Sequence, residues 1–213
     1  MYPTNKITNR YNHMSSHRPG RHFLQIPGPT NIPEVVLAAL AKPTIDHRSD
    51  EFGRLGLEVL SNLQRIFKTN KPVFMFPSSG TGAWEAALTN VLNPGDTILI
   101  YDTGYFASQW KHLATNLGFN VDVLESDWHS PVDPSRLSKH LKNDRNQHIK
   151  AVCIVHNETS TGVTSDITKV RKAIDEVQHP ALLLVDTVSS LASIDYQHDK
   201  WQVDVSIGGS QKA

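Results

Sequence analysis

Residues 149–190 read IKAVCIVHNETSTGVTSDITKVRKAIDEVQHPALLLVDTVSS. Within this stretch, an apolar run at Ala151–Val155 is followed by a helix-like segment at Ile167–Val177 and by a second apolar run at Ala181–Val185. Short apolar runs joined by a helix are typical of parallel strands buried on both faces of a sheet. This strand–helix–strand unit predicts an α/β fold built on a parallel sheet.

The same alternation continues on both sides of this unit. Further apolar runs predict strands at Val73–Phe76, Thr97–Tyr101, Val121–Leu124 and Val203–Ile207. The segments between the runs predict helices at Trp84–Val91, Ser108–Leu117 and Pro134–Leu141. We therefore expect residues 71–213 to form one doubly wound domain, with a mostly parallel sheet covered by helices on both faces.

The first 70 residues differ in character from this domain. Residues 1–20 mix polar, basic and proline residues without apolar periodicity, which predicts a disordered leader. Residues 21–70 predict an N-terminal arm with two helices, the first a short one from Glu34 to Ala41 that follows Pro33. The second helix is amphipathic, and its apolar stripe contains Leu55, Val59, Leu63, Ile66 and Phe67.

Composition excludes several classes of partner. The 213 residues include 21 Lys plus Arg and 21 Asp plus Glu, so no net charge favours nucleic acid or an anionic membrane surface. No apolar stretch approaches the roughly 20 residues that cross a bilayer. The single cysteine, Cys153, lies inside an apolar run, which excludes a disulfide within the chain and a cysteine-rich metal site. We expect a cytoplasmic globular protein without a nucleic-acid or membrane partner.

Parallel sheets bind their ligands at the carboxyl ends of the strands, and the loops there contain unusual residues. The loop after Val73–Phe76 places Ser79, Gly80 and Thr81 immediately before a helix. Free N–H groups, hydroxyls and the helix dipole are typical of a phosphate site, although an ordinary helix cap has the same composition. No lysine follows the glycines, which disfavours a Walker-type nucleotide loop.

Two later loops place charged residues at strand ends. Asp186 follows five apolar residues, and a buried carboxylate needs a partner such as a protonated pyridine nitrogen. The alternative is an aspartate that caps the next turn. Lys212 follows the last apolar run and the pair Gly208–Gly209, where a partly desolvated lysine loses its proton readily, as Schiff-base chemistry requires. The alternative is a solvated lysine.

The loop after Ala151–Val155 reads HNETSTG at residues 156–162. Its hydroxyl groups can reach a cofactor edge. His156 and Glu158 also suggest a metal site, but two ligands two residues apart fall short of the four-ligand pattern that zinc requires. We therefore expect no metal.

The segments that carry a family resemblance are PGRHFLQIPGPTNIP at 19–33, SSGTGAWEAALTNVLNPGD at 78–96, IKAVCIVHNETSTGV at 149–163, HPALLLVDTVSSLASID at 179–195 and GGSQKA at 208–213. Together they resemble the class V aminotransferases, in particular the serine–glyoxylate and alanine–glyoxylate enzymes. The resemblance extends from about Pro19 to Ala213 and implies the large domain of a PLP-dependent transferase of fold type I. That domain is expected to be incomplete at its C-terminus, because the family continues with a last strand, a small domain and an arginine that binds the substrate carboxylate.

The resemblance implies that pyridoxal 5′-phosphate (PLP) is the cofactor. Lys212 would bind it as a Schiff base and later move a proton between the substrate Cα and the cofactor. Asp186 would pair with the pyridine nitrogen, and Val188 would pack against the ring. Phe106 would stack on the ring face, where some relatives have tryptophan, and Thr159 would hydrogen-bond the phenolic oxygen.

Other positions also acquire implied roles from the family. The phosphate would be held by Ser79, Gly80, Thr81 and Gln211. Gly28 would line the substrate pocket, and Arg48 would reach the site of the neighbouring subunit in a homodimer.

The implied reaction transfers an amino group from serine or alanine to glyoxylate, giving glycine and hydroxypyruvate or pyruvate. Its partners are small amino acids and 2-oxo acids, as in glyoxylate metabolism and glycine biosynthesis. One alternative is a truncated, non-catalytic module with a PLP fold. Another is a different class V enzyme, such as a cysteine desulfurase-like lyase, whose nucleophile would lie beyond this chain because Cys153 is inside a strand. A eukaryotic source would make a peroxisomal location the alternative to the cytoplasm.

Overall fold

The computed structural model describes residues 23–212. The leader predicted at residues 1–20, the first two residues of the arm and Ala213 lie outside the described residues. The elements in the described range are α1 (Glu34–Leu40), α2 (Asp50–Phe67), α3 (Gly80–Val91), β1 (Thr97–Asp102), α4 (Tyr105–Asn116), β2 (Asn120–Glu125), α5 (Pro134–Asn143), β3 (Ile149–Val155), α6 (Ile167–Glu176), β4 (Leu182–Asp186) and β5 (Val205–Ile207).

The five strands form one sheet in the order β2-β1-β3-β4-β5, and every pairing is parallel. Successive side chains point to opposite faces, as the pleat requires. In β4, Leu183 packs into a buried cluster with α5 and α6, whereas Leu184 packs into a second cluster with α3 and α4. The prediction of a doubly wound domain with helices on both faces is confirmed.

The strand predicted at Val73–Phe76 is wrong. These residues adopt no regular secondary structure, and the side chains of Phe74, Met75 and Phe76 are 75%, 57% and 59% exposed. An apolar run forms a strand only where a neighbour accepts its backbone hydrogen bonds, and none of the described strands lies beside this one. The sequence pattern shows that this run is apolar, but it does not show whether another strand is present to pair with it.

Two helices begin earlier than the sequence pattern predicted. Helix α3 begins at Gly80 and not at Trp84, and α4 begins at Tyr105 and not at Ser108. In α3 the Ser79 hydroxyl caps the first turn by accepting a hydrogen bond from the Gly82 N–H. The other predicted elements are present, with ends displaced by one or two residues.

The arm differs from the sheet domain in its burial. Neither α1 nor α2 contains a buried residue, although Phe67 at the end of α2 packs partly against the α5–α6 face. The division of the chain at residue 70 stays a prediction. No helix among residues 23–212 is long and apolar enough to cross a membrane.

Candidate active site

Four of the predicted site residues meet at the carboxyl edge of the sheet. Asp186 ends β4, Thr159 follows β3, Phe106 lies in the first turn of α4 after β1, and Lys212 follows β5. The Lys212 Nζ donates a hydrogen bond of 2.6 Å to the Thr159 Oγ1 and lies 5.2 Å from the centre of the Phe106 ring. The fold therefore brings an amine, a hydroxyl and an aromatic ring together from three separate segments of the chain.

Lys212 is only partly exposed, and its surroundings alter its charge equilibrium. Burial lowers the pKa of Lys212 from its ordinary value, whereas the carboxylates of Asp186 and Glu158 act in the opposite direction. A cavity of about 270 Å³ adjoins the amine and is lined by Pro27, Asn157, Thr159, Ser189, Ser193 and Lys212. A nucleophilic amine with a lowered pKa beside a cavity is suited to covalent chemistry with a carbonyl compound.

Asp186 is a buried carboxylate whose two oxygens have different donors. Its Oδ1 accepts a hydrogen bond of 2.7 Å from the Val188 N–H, and its Oδ2 accepts one of 2.9 Å from the Trp84 Nε1. Burial raises the pKa of Asp186 to about 6 despite both bonds. Each oxygen keeps lone-pair capacity, so the carboxylate is suited to accept a further bond from a cationic N–H, which would favour its charged form.

The glycine positions at this edge allow three loops to approach one another. A Cβ added at Gly80 would lie 2.9 Å from the Val188 Cγ2, and one added at Gly209 would lie 3.4 Å from the Val188 Cγ1 and 2.6 Å from the Gln211 Oε1. Gly80, which starts α3 after the cap residue Ser79, therefore lies beside Val188 in the loop after β4, and Gly209 and Gln211 approach the same valine. The N-terminus of a helix in a glycine-lined cradle favours an anion.

The N-terminal arm lies against the lysine. A Cβ added at Gly28 would come within 2.8 Å of the Lys212 Cγ. Thr30 donates its N–H to the Gln211 carbonyl at 2.9 Å and its hydroxyl to the Lys212 carbonyl at 3.0 Å. Gly28 is therefore a neighbour of the predicted catalytic residue, and its part in a substrate pocket stays a prediction.

Arg48 is not brought to this cluster. It is exposed just before α2, where its backbone N–H bonds the Asp46 carboxylate. Within residues 23–212 no hydrogen bond or ion pair joins its guanidinium to another predicted site residue. Its predicted reach into a neighbouring subunit stays a prediction.

Sequence reasoning missed two residues that shape the site. Trp84 is one turn after Gly80 in α3, so the two positions share a helix face, but this is clear only once α3 is known to begin at Gly80. Glu158 was considered only as a metal ligand, whereas its carboxylate accepts hydrogen bonds from the backbone at the start of α4. Among residues 23–212 no group of three histidine, cysteine or acidic side chains is placed to hold a metal ion.

The residues present fit pyridoxal phosphate by their chemistry. A lysine amine with a lowered pKa matches its aldehyde, a buried carboxylate with a raised pKa matches a pyridinium N–H, and the start of α3 matches its phosphate. A doubly wound sheet with this set of groups at its carboxyl edge defines the class of fold type I PLP-dependent enzymes.

Comparison with known proteins identifies the family. The chain belongs to the class V aminotransferases, because the family model described as "Aminotransferase class-V" matches residues 22–213. Class V aminotransferases depend on PLP, so the cofactor expected from the sequence is that of the family. The resemblance and the fold class predicted from the sequence are both confirmed.

Named relatives support the same family. The chain is 50% identical to a serine–glyoxylate aminotransferase of Arabidopsis thaliana over 92% of the chain and 49% of the relative. It is 47% identical to an L-aspartate–glyoxylate aminotransferase of Paracoccus denitrificans over 88% of the chain and 48% of the relative. A solved alanine–glyoxylate aminotransferase of Nostoc sp. matches with a TM-score of 0.83 at 30% identity, over 95% of the chain and 53% of that structure. The chain thus spans about half the length of these relatives.

Proposed function

We propose that this chain is the cofactor-binding part of a PLP-dependent transaminase that moves an amino group from serine or alanine to glyoxylate. The products are glycine and either hydroxypyruvate or pyruvate. The observation that supports this most directly is the placement of the Lys212 amine 2.6 Å from the Thr159 hydroxyl and 5.2 Å from the Phe106 ring centre, at the same sheet edge as Asp186.

Lys212 has the central role in this proposal. PLP, when bound, supplies the electron-withdrawing ring that takes up the electron pair left at the amino acid's Cα when its proton leaves. Lys212 would accept that proton at Nζ as a general base. It would then donate the proton to the cofactor as a general acid. Its lowered pKa favours the neutral amine that this requires.

The surrounding residues orient the cofactor in the proposal. Asp186 would accept a hydrogen bond from the pyridinium N–H and keep the ring nitrogen protonated, and Val188 and Phe106 would pack against the ring. Thr159 would donate a hydrogen bond from its hydroxyl to the phenolic oxygen. The phosphate would be bound by Ser79, Gly80, Thr81 and Gln211, through the N–H groups at the start of α3 and through polar side chains.

The choice of amino donor and the assembly are further parts of the proposal. The names of the relatives include serine, alanine and aspartate as donors, each with glyoxylate as acceptor. We propose serine or alanine, with Gly28 in the substrate pocket beside Lys212. We also propose a cytoplasmic homodimer in which Arg48 serves the neighbouring subunit.

The lyase alternative needs a reactive thiolate. Cys153 lies in the middle of β3 with 1% of its surface exposed, and burial raises its pKa. A buried neutral thiol is unreactive, so within residues 23–212 no cysteine supports desulfurase chemistry. Cys153 is therefore not the nucleophile that a lyase would need, and the 50% identity to a serine–glyoxylate aminotransferase supports the transaminase proposal.

A single half-reaction tests the proposal and needs no repeated turnover. The chain is loaded with PLP and mixed with serine, alanine or aspartate, and pyridoxamine 5′-phosphate and the 2-oxo acid are quantified by mass spectrometry. We expect slow formation of equal amounts of both products from serine or alanine, and none from the Lys212→Ala variant. Product from aspartate alone would contradict the donor proposed, and equal rates in the chain and the variant would contradict the role of Lys212.

A further inference from the structure

Glu158 is a buried carboxylate that the proposed reaction does not use. Its side chain is 0% exposed. It accepts hydrogen bonds from the N–H groups of Phe106 at 3.1 Å and Ala107 at 3.2 Å, and from the Ser160 N–H at 3.1 Å and hydroxyl at 2.8 Å. A buried carboxylate with four donors is fixed in position, because moving it would leave several polar groups unsatisfied.

The donors show that Glu158 caps helix α4 from a different loop. The residue at the cap position of α4 is Gly104, which has no side chain to accept the first N–H groups. Those groups, on Phe106 and Ala107, bond to the Glu158 carboxylate, about 50 residues later in the chain. A negative charge at a helix N-terminus is also favoured by the helix dipole.

Gly104 is adapted to this contact by its size. Its φ of 161° is extended backbone that any residue adopts, so conformation does not demand glycine here. A Cβ at this position would lie 2.4 Å from the Glu158 Cγ and 2.8 Å from the Ser160 Oγ. Glycine at 104 therefore provides the space that lets the loop after β3 dock against the start of α4.

The two segments joined in this way carry the two groups that contact the catalytic amine. Phe106 is one of the donors to Glu158, and Thr159 is the next residue after Glu158. The Lys212 Nζ lies 5.2 Å from the centre of the Phe106 ring and 2.6 Å from the Thr159 Oγ1. One carboxylate thus fixes the positions of an aromatic ring and a hydroxyl that face the same amine.

We propose that Glu158 is a positioning residue that holds Phe106 and Thr159 in register with Lys212 for binding the cofactor ring. This inference rests on the proposed function, since it assigns Glu158 to the same site. Its carboxylate also adds negative charge near the Lys212 amine and so favours the protonated amine.

The test compares Glu158→Ala and Glu158→Gln with a matched cap variant away from the site. Asp133 caps α5 by accepting N–H groups from Ser135 and Arg136, so Asp133→Ala removes a helix cap without touching the site. Each protein is titrated with PLP, and binding is followed by tryptophan fluorescence and by visible circular dichroism. The visible absorption of the bound cofactor is then measured as a function of pH, which gives a pH midpoint. Thermal unfolding of the cofactor-free proteins reports stability alone.

We expect Glu158→Ala to weaken PLP binding by roughly fivefold or more, the ratio that corresponds to a lost cap, and to reduce the visible circular dichroism. Asp133→Ala should lower the thermal midpoint and leave both cofactor signals unchanged. Glu158→Gln keeps an acceptor oxygen and should retain most of the dichroism, while its pH midpoint shifts to lower pH because a negative charge near the amine is lost.

Gly104 supplies a second test if Glu158→Ala unfolds. Gly104→Ala should also weaken PLP binding, because the new Cβ would lie 2.4 Å from the Glu158 Cγ and displace that side chain while its charge is kept. Cofactor signals in the Glu158 variants equal to those of the unchanged chain, or reduced equally in Asp133→Ala, would overturn the role of Glu158. Absence of any PLP signal in the unchanged chain would instead overturn the proposed function, and this inference with it.

Discussion

Asp186 shows how burial and function are linked at a single residue. Burial raises its pKa from the ordinary 3.8 to about 6. Between these two pH values the folded state binds a proton that the unfolded state has released, so the free energy of unfolding decreases as pH rises through this window. The full cost, at most about 3 kcal/mol, is present above pH about 6. A cationic partner such as a pyridinium would offset this cost.

We predict that Asp186→Asn removes this loss of stability. The free energy of unfolding of the cofactor-free chain is measured with urea at several pH values from 4 to 7. It should decrease less with rising pH in the variant, because an amide does not titrate. The difference between the two curves isolates Asp186 from other groups that titrate in the same range. Parallel curves for the two proteins would contradict the assignment of a raised pKa to Asp186.

Residues differ in how much of their role the sequence makes predictable. Asp186 and Lys212 follow apolar strands, so their position at the carboxyl edge of the sheet was predictable, whereas their roles toward a cofactor stay predictions. Glu158 was not predictable, because its donors belong to a helix about 50 residues earlier and become neighbours only after folding. The approach of Trp84 to Asp186, 102 residues away, is a tertiary contact of the same kind.

At the scale of the element, the first residue of helix α3, Gly80, is closely packed against Val188. We predict that Gly80→Ala weakens PLP binding by about tenfold or more, because the new Cβ would lie 2.9 Å from the Val188 Cγ2 and push the helix start away from the ring position. Fluorescence titration with PLP measures this directly.

Gly53 provides the matched control for this change. It lies inside α2, and a Cβ there would have no neighbour within 4 Å. Gly53→Ala should leave the PLP affinity unchanged and stabilise the helix slightly, since alanine has the higher helix propensity. Equal affinities for Gly80→Ala and Gly53→Ala would show that the start of α3 is not part of the cofactor site.

Helices and strands were predictable where the residues of one short stretch are enough to determine the structure. Strands β1 to β4 are apolar runs whose neighbours are other apolar runs in this chain, and their positions agree with the pattern. The early starts of α3 and α4 were missed, because the sequences SGTG and TGYF contain residues of low helix propensity, and caps from Ser79 and Glu158 decide the boundary. Val73–Phe76 was wrongly predicted as a strand, because its apolar pattern does not show that it pairs with none of the described strands.

At the scale of the whole molecule, the N-terminal third of the described chain carries a large apolar surface. The large apolar side chains exposed in residues 23–76 are Phe23, Leu24, Ile26, Ile32, Val35, Val36, Leu37, Leu40, Phe52, Leu55, Leu57, Ile66, Phe74, Met75 and Phe76. Exposed apolar side chains in this number favour association with other chains and aggregation.

We therefore predict that the 213-residue chain self-associates in solution. Light scattering coupled to gel filtration should give a mass above that of one chain, increasing with concentration. Phe74→Ser combined with Phe76→Ser should reduce the association, whereas Ile194→Ser, at a residue 39% exposed outside residues 23–76, should not. A monomer at all concentrations would contradict this prediction.

The central claim is that Lys212 is the residue that binds the cofactor, and one labelling measurement tests it most directly. The chain is mixed with PLP, reduced with borohydride, digested and analysed by mass spectrometry for a pyridoxyl group on lysine. We predict a pyridoxyl group on Lys212 at low PLP concentration, and labelling of that residue reduced in Gly80→Ala. Labelling spread over exposed lysines such as Lys169 and Lys172, with Lys212 no more reactive than these, would contradict the account.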